Sequence, residues 1–349
     1  MLWQEKMHFF YNQFKERPKC KNCKSEDCHF MDSAHVYSKY CRTCCKENPW
    51  MNGNYSSSPE IEIKEYIVSL LPKNTIVEKK YIGGHELDIF IPSMNLAFEH
   101  NGLYYHDEYV RDHKYHFDKW KMCKEHGIKL MNIWGDDWYY KKKIVKSMIE
   151  NKLKKCVNKI YARECTIKNV SSKDSRDFLD KNHIQGKIDS SIRLGLYFKN
   201  RLVSLMTFGK QRFGKDKDNV CELYRFCSEI NMIVIGGASK LFSHFIKIYR
   251  PIKIESYANL DFSNGNVYEI LGFKSTNNIT INYWWWNNNK RNLEEYVKRE
   301  NRGRYNKTNL IKEGFDYNMS ENMIMYNRGY KKIYGVGVLK YVWINKKEG

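Results

Sequence analysis

No run of this sequence approaches the length of a membrane span, and its opening stretch, MLWQEKMHFF, lacks the charged-then-apolar order of a secretory signal. A membrane protein and a secreted one are thus not expected; the chain should work inside a cell. No internal repeat is found, which argues against a solenoid or an array. Acidic residues are in short supply, 40 against 60 Lys and Arg, and the net charge is +20. Such an excess makes polyanions the expected partners. The 26 Tyr and 9 Trp point the same way, because rings stack on bases while ammonium groups meet phosphates. With 349 residues and an apolar fraction of 42%, the chain has material for two or three ordinary cores.

Cysteine is not scarce, but six of the eleven crowd into residues 20 to 45, which reads as metal binding rather than as a disulfide framework. Within PKCKNCKSEDCHFMDSAHVYSKYCRTCC, Cys20 and Cys23 form one C-x2-C pair and Cys41 and Cys44 a second, with seventeen residues between the pairs. Two short knuckles joined by a loop suit tetrahedral Zn2+. Cys28, His29, His35 and Cys45 stand close enough in sequence to replace a member of the four. Such a Zn2+ is expected to be structural, since four thiolates leave no open position for water. Residues 1–55 are read as this zinc-ribbon-like segment.

Residues 56–140 read as an α/β layer. SSSPEIEIKEYIVSLL opens as a helix, with Ser58 as the expected N-cap, Pro59 in the first turn and Ile63, Ile67, Leu70 and Leu71 on one stripe. HELDIFIPSMNLAFEHNGLYYH then gives two strands about a Pro-Ser turn, and YHFDKWKMCKEHGIKLMNIWGDDW a helix from about His116 to His126 and a strand from Ile128 to Trp134. Residues 141–160 predict a linker helix with eight lysines against one glutamate. Ile144, Val145, Met148, Ile149 and Leu153 form its packing face. Its cationic face fits solvent and a DNA backbone equally well.

Asp88 and Glu99 interrupt otherwise apolar strand runs. Unpaired charge is costly to bury, so these two acids need a partner. Eleven residues apart across a tight connection, they are expected to meet, with Glu60 of the preceding helix approaching the same point. A hard cation such as Mg2+ suits converging carboxylates, and bound there it would activate water and stabilise charge on a phosphodiester. His106 follows as a candidate general acid or base.

The order Glu60, Asp88, Glu99-x-Asn101-Gly102, His106, then helix, Gly127 and strand resembles the very-short-patch repair endonuclease branch of the PD-(D/E)XK nucleases. It is closer still to the phage-encoded EDxHD or Hef-like homing endonucleases. The matching stretches are SPEIEIKEYI, ELDIFIP, FEHNGLYYH and GIKLMNIWGDDW, about 80 residues in all. The resemblance implies metal-dependent cleavage of duplex DNA, with Asp88 the central Mg2+ ligand, Glu60 and Glu99 supporting acids and His106 the proton-handling group. It also places His116 where related nucleases often carry an acid on the following helix. A phage origin would put the protein in the host cytoplasm. Two positions depart from the family pattern: Asn101 stands where a lysine is usual, and His100 fills a slot that is often apolar.

Residues 161–290 alternate strands and helices and resemble the GNAT acyltransferases, including phage Mom-like members. The carrying stretches are VIGGASKLF, at the place of a pyrophosphate loop, and VYEILGF, a late helix-to-strand motif. Backbone amides of Gly236, Gly237 and Ala238 at a helix start would form an anion site, although the loop is short and lacks the Arg/Gln-x-x-Gly pattern. Residues 291–349 read as a basic tail or subdomain. The expected architecture is thus an α/β multidomain chain: a small zinc ribbon, a PD-(D/E)XK-type nuclease core and a GNAT-like α+β domain. The expected function is a site-specific, Mg2+-dependent endonuclease acting on double-stranded DNA, with no membrane partner. Its rivals are an acyl- or related transferase acting on a nucleobase or protein amine, and a non-catalytic DNA binder.

Overall fold

A computed structural model describes residues 19–20, 23–25, 30–31, 36–37, 41, 43–44, 57–212, 220–287 and 297–345. The chain divides into two compact units, residues 1–61 and 62–349. Among the described residues, no helix is long and apolar enough to cross a membrane.

In the first unit a short antiparallel ribbon, β1 (Phe30–Met31) with β2 (Val36–Tyr37), lies between the two cysteine pairs. The ligand atoms of Cys20, Cys23, Cys41 and Cys44 all fall within 4.8 Å of one another. Sulfur separations of 3.9 Å for Cys20–Cys44 and 3.5 Å for Cys23–Cys41 match the edge of about 3.8 Å of a tetrahedron with Zn–S arms of about 2.3 Å. Amide N–H groups turn onto the sulfurs as well, Cys41 donating to Cys20 Sγ at 3.3 Å and Cys44 to Cys41 Sγ at 3.4 Å. The first knuckle closes through Lys24, whose positive φ of 62° lets its N–H reach the Cys20 carbonyl at 2.9 Å. These four thiolates can hold a structural Zn2+; Cys28, His29, His35 and Cys45 lie outside the described residues.

Helix α1 (Ser58–Leu70) starts one residue earlier than expected. Ser57, not Ser58, is the cap: its Oγ accepts the Glu60 N–H at 3.3 Å, and Glu60 Oε2 accepts the Ser57 N–H at 3.3 Å. The reason is spacing, since only Ser57 has an acid three residues on to complete a capping box.

In the second unit β3 (Glu78–Ile82), β4 (His85–Ile91), β5 (Leu96–Asn101), α2 (Tyr115–Glu125) and β6 (Lys129–Trp134) form one layer. Its strand order is β3-β4-β5-β6. The first two pairings are antiparallel; β5 and β6 are parallel and need the α2 crossover between them. Ile89, Ile91, Leu96, Phe98, Met131 and Ile133 pack with Ile63 and Ile67 of α1. The opposite face, with Leu87, Phe90, Ala97 and Leu130, packs with Trp120 and Cys123 of α2. Burial of both faces explains why these strands read as near-continuous apolar runs. Helices α3 (Gly135–Tyr140) and α4 (Lys142–Lys152) follow, and Ile144, Val145, Ile149 and Leu153 bury as the helical spacing predicts.

Next come β7 (Asn158–Tyr161), β8 (Thr166–Asn169), α5 (Ser172–Asn182), β9 (Ile192–Phe198), β10 (Arg201–Lys210), β11 (Val220–Ser228), β12 (Met232–Ile235), α6 (Gly237–Tyr249), β13 (Lys253–Asn259), α7 (Asn266–Ile270) and β14 (Lys274–Thr280). After them β15 (Tyr283–Trp286), β16 (Glu300–Asn301) and β17 (Lys331–Tyr334) make a small sheet with helices α8 (Lys307–Lys312) and α9 (Glu321–Asn327). The last strand, β18 (Val338–Ile344), then returns into the large sheet, whose order is β14-β18-β13-β11-β10-β9-β8. Residues 338–344 are therefore an inner strand, paired with β13 on one side and β14 on the other, rather than part of an appended tail. Sequence distance hid this pairing, since nothing in a strand's pattern names a partner some eighty residues away.

One buried cation joins these sheets. Arg299, just before β16, donates from Nε to Asp136 Oδ1 at 2.9 Å and from Nη2 to Asp137 Oδ2 at 2.7 Å. Its guanidinium lies over the rings of Trp134 and Trp284, 4.4 and 4.5 Å from their centroids. Asp136 and Asp137 open α3, directly after β6.

Two outcomes are expected. The purified protein should carry one Zn2+ per chain by metal analysis, and Cys41→Ser should lower that content while leaving the melting of residues 62–349 in place. Arg299→Met should destabilise the second unit by about 3–5 kcal/mol, since it leaves buried Asp136 without a counter-charge and Asp137 with Lys141 alone; denaturant unfolding measures this.

Candidate functional site

Asp88 and Glu99 sit where β4 and β5 part. Their antiparallel ladder runs from Ile91↔Leu96 to Ile89↔Phe98 and goes no further. At the next step the two carboxylates take the place of ladder carbonyls. Glu99 Oε1 accepts the Asp88 N–H at 3.1 Å, and Asp88 Oδ2 accepts the His100 N–H at 2.9 Å. The acids are adjacent, as the hairpin spacing predicts.

Glu99 also meets a cation that sequence reading missed: Lys119 Nζ lies 2.7 Å from Glu99 Oε2, and both side chains are only 5% exposed. Burial pushes the Glu99 carboxyl up to about 8, and the charge of Asp88 adds to the rise while Lys119 opposes it. Burial works against the charge of Lys119 as well, yet Glu99 holds it above the ordinary lysine range. The available signal was the buried stripe of α2: His116, Lys119, Trp120 and Cys123 recur at i, i+3, i+4 and i+7. A lysine on that stripe must face an acid.

His106 and His116 come together, with Nδ1 of the first 3.1 Å from Nε2 of the second. Burial holds His106 well below its ordinary value and brings His116 down to about 3. Both rings are neutral near pH 7, and one N–H lies between them. Trp134 packs against both, at 6.1 Å from His106 and 5.0 Å from His116. Asn101 points elsewhere, its Nδ2 donating to Asn132 Oδ1 at 2.9 Å on the neighbouring strand. Glu60 belongs to the first unit, where it closes the capping box of α1.

The loop after His106 is held by the small β15–β16–β17 sheet. Lys331 Nζ reaches Asp107 Oδ2 at 3.1 Å, the Glu108 N–H donates to the Lys332 carbonyl at 2.9 Å, and Tyr326 donates to Glu108 Oε2 at 3.0 Å. Among the described residues, the four cysteines are the only group of three or more His, Cys, Asp or Glu side chains whose ligand atoms lie within 4.8 Å. A cation at Asp88 and Glu99 would thus take two carboxylates from this unit and fill its sphere largely with water, a donor set that suits Mg2+.

A second opening lies in the seven-stranded sheet. Parallel β11 and β13 pair only from Val220↔Lys253 to Glu222↔Glu255. Ser256 Oγ donates to the Leu223 carbonyl at 2.9 Å, and beyond it the strands diverge. The gap holds a cavity of about 250 Å³, lined by His183, Arg225, Tyr257, Asn259 and Tyr268 among others. A larger one of about 630 Å³ adjoins it on the β11 side, lined by Met148, Phe226, Cys227, Gly236, Gly237 and Ala238 among others. Gly236, at φ 76°, turns the chain from β12 into α6, so the expected anion loop does border an opening. Any larger residue would be strained there.

No family model matches the chain, and no curated protein matches it. Solved structures match about half of it. A Bacillus subtilis acetyltransferase in complex with CoA is 11% identical, with 52% of this chain and 99% of that one covered and a TM-score of 0.29. A putative acetyltransferase from Salmonella typhimurium with acetyl-CoA is 10% identical over 53% and 97%, at a TM-score of 0.30. Ribosomal-protein-alanine N-acetyltransferase from Brucella melitensis is 10% identical over 52% and 99%, at 0.29. At these values the likenesses carry no argument about activity.

Proposed function

We propose that the chain is a Mg2+-dependent endonuclease that hydrolyses phosphodiester bonds in duplex DNA at specific sites, of homing type. The observation that carries the reading is the meeting of Asp88 and Glu99 at the parting of β4 and β5, beside Lys119 and within one layer with the paired His106 and His116. The order helix, strand hairpin β4–β5, helix, strand supports it, being the order in which the stretches that resemble the nucleases fall. The net charge of +20 supplies attraction for a polyanion.

When bound, Mg2+ would supply an activated water and neutralise charge on the phosphate. The remaining tasks belong to the chain. Asp88 and Glu99 present oxygens from two strands whose positions are fixed by backbone amides. Lys119 sets the charge of Glu99 and offers a cation within reach of the same carboxylate. His106, neutral and backed by His116, is able to accept a proton. Asp107 and Glu108, tied to β17, hold the loop on which His106 stands.

A second reading, acyl transfer from a CoA ester in the seven-stranded layer, is favoured by one observation: the cavity lined by Gly236 and Gly237 at the start of α6 adjoins the one between β11 and β13.

Asp88→Ala should abolish Mg2+-dependent cleavage of plasmid or phage DNA while leaving DNA binding intact; equal cleavage by variant and wild type removes the reading. The pH dependence follows from Glu99. Its folded value lies above its ordinary one, so the stability it contributes is complete in acid and is lost as pH rises through about 8. Cation binding requires the deprotonated form, so Mg2+ affinity should climb through the same window, and the rise in melting temperature caused by Mg2+ should be larger at pH 9 than at pH 6. Glu99→Gln should flatten that difference. For the second reading, calorimetry with acetyl-CoA should give saturable heat, and its absence removes the acyl-transfer reading alone.

A further inference from the structure

The seven-stranded layer holds a cation for which the endonuclease reading has no use. Arg225, midway along β11, lines the 250 Å³ cavity. Its Nη1 donates to the Tyr224 carbonyl at 2.9 Å, but its Nε is buried and meets no acceptor. Among the described residues no carboxylate stands within ion-pair distance of it. Glu222, on the same strand, already binds Arg212 through Nε at 2.9 Å and accepts that residue's N–H at 2.9 Å. The contrast with Arg299 is instructive: that guanidinium meets two carboxylates, while Arg225 meets none.

Arg225 is half-buried with its Nε shut off from water; a charge so placed without a counter-charge is costly, and an apolar side chain of similar size would usually serve the fold better. Burial brings Arg225 down to about 10, which still leaves it cationic near neutrality. Among the described residues no Asp or Glu lines the cavity, so none of them contributes negative charge to it.

His183 supplies a second donor. It follows α5 directly and accepts the Gln185 N–H on Nδ1 at 3.1 Å, which places its own proton on Nε2. Burial keeps the ring neutral, at about 3. The same cavity is walled by the rings of Phe226, Phe262, Tyr257 and Tyr268. A planar cationic fork, a neutral N–H donor and aromatic walls fit an oxyanion attached to an organic body.

We propose that this cavity binds the carboxylate or phosphate group of a small organic ligand, with Arg225 as its counter-ion and His183 as a second hydrogen-bond donor. The site is independent of the endonuclease reading and requires no acyl transfer. Because the two cavities share His183, Phe226 and Phe262, such a ligand would lie beside whatever fills the larger one.

The test uses full-length protein in three forms: wild type, Arg225→Met, and Lys187→Met as a control at an exposed position. Calorimetric titrations with inorganic phosphate and with acetate, in salt high enough to screen surface lysines, form its two arms. At least one anion is expected to bind wild type and the control about equally and Arg225→Met at least about tenfold more weakly, and the anion that does so identifies the ligand class. Melting without any anion gives the second readout. Removal of an uncompensated charge should leave the melting temperature of Arg225→Met equal to or above that of wild type, and excess anion should raise that of wild type but not of the variant. Equal affinity of all three forms for both anions, or a clearly lower melting temperature of anion-free Arg225→Met, overturns the proposal.

Discussion

The second unit depends on one guanidinium held away from water. Arg299 would be costly to bury between Trp134 and Trp284 without Asp136 and Asp137, to whose charge Asp261 adds, and Asp136 would be left without a counter-charge if Arg299 were absent. Asp136 and Asp137 follow β6, Asp261 follows β13 and Trp284 lies on β15. The ion pairs and ring contacts therefore bring three sheets to one point. Burying such a cluster is defensible because all its members arrive together, which makes it a device for fixing arrangement more than for adding stability.

That arrangement matters for the carboxylate site. Trp134, covered on one side by Arg299, packs on its other contacts against His106 and His116. The small sheet that carries Arg299 into place also grips Asp107 and Glu108 through β17. A region that looked like a tail thus orients the loop of the candidate proton acceptor. The acids themselves are positioned differently, by a local defect in pairing: where β4 and β5 cease to share a ladder, side-chain oxygens satisfy the exposed amides. The same parting of strands recurs between β11 and β13, and there too the opening is where polar groups gather.

What could be read from the sequence was local. The two C-x2-C pairs bring their sulfurs together, because the knuckle geometry is contained in four residues. Asp88 and Glu99 are neighbours because a tight turn fixes their register. The stripe of Ile144, Val145, Ile149 and Leu153 buries because helical spacing alone decides which face is apolar. What escaped was set by distant partners. Lys119 gains its meaning only from Glu99, Arg299 from two residues more than 160 positions earlier, and Val338–Ile344 from β13 and β14. Even the shift of the helix cap from Ser58 to Ser57 came from a reciprocal bond with Glu60.

The placement of β18 has a consequence for how the molecule is made. A ribosome delivers β13 and β14 long before residues 338–344, so during synthesis these two strands wait with unmatched edges and the large sheet cannot close. Nascent chains halted short of that point would present bare strand edges of the sort that invite association with other chains. Completion of the fold is in this way tied to the delivery of residues 338–344, and partial products are left to chaperones and proteases.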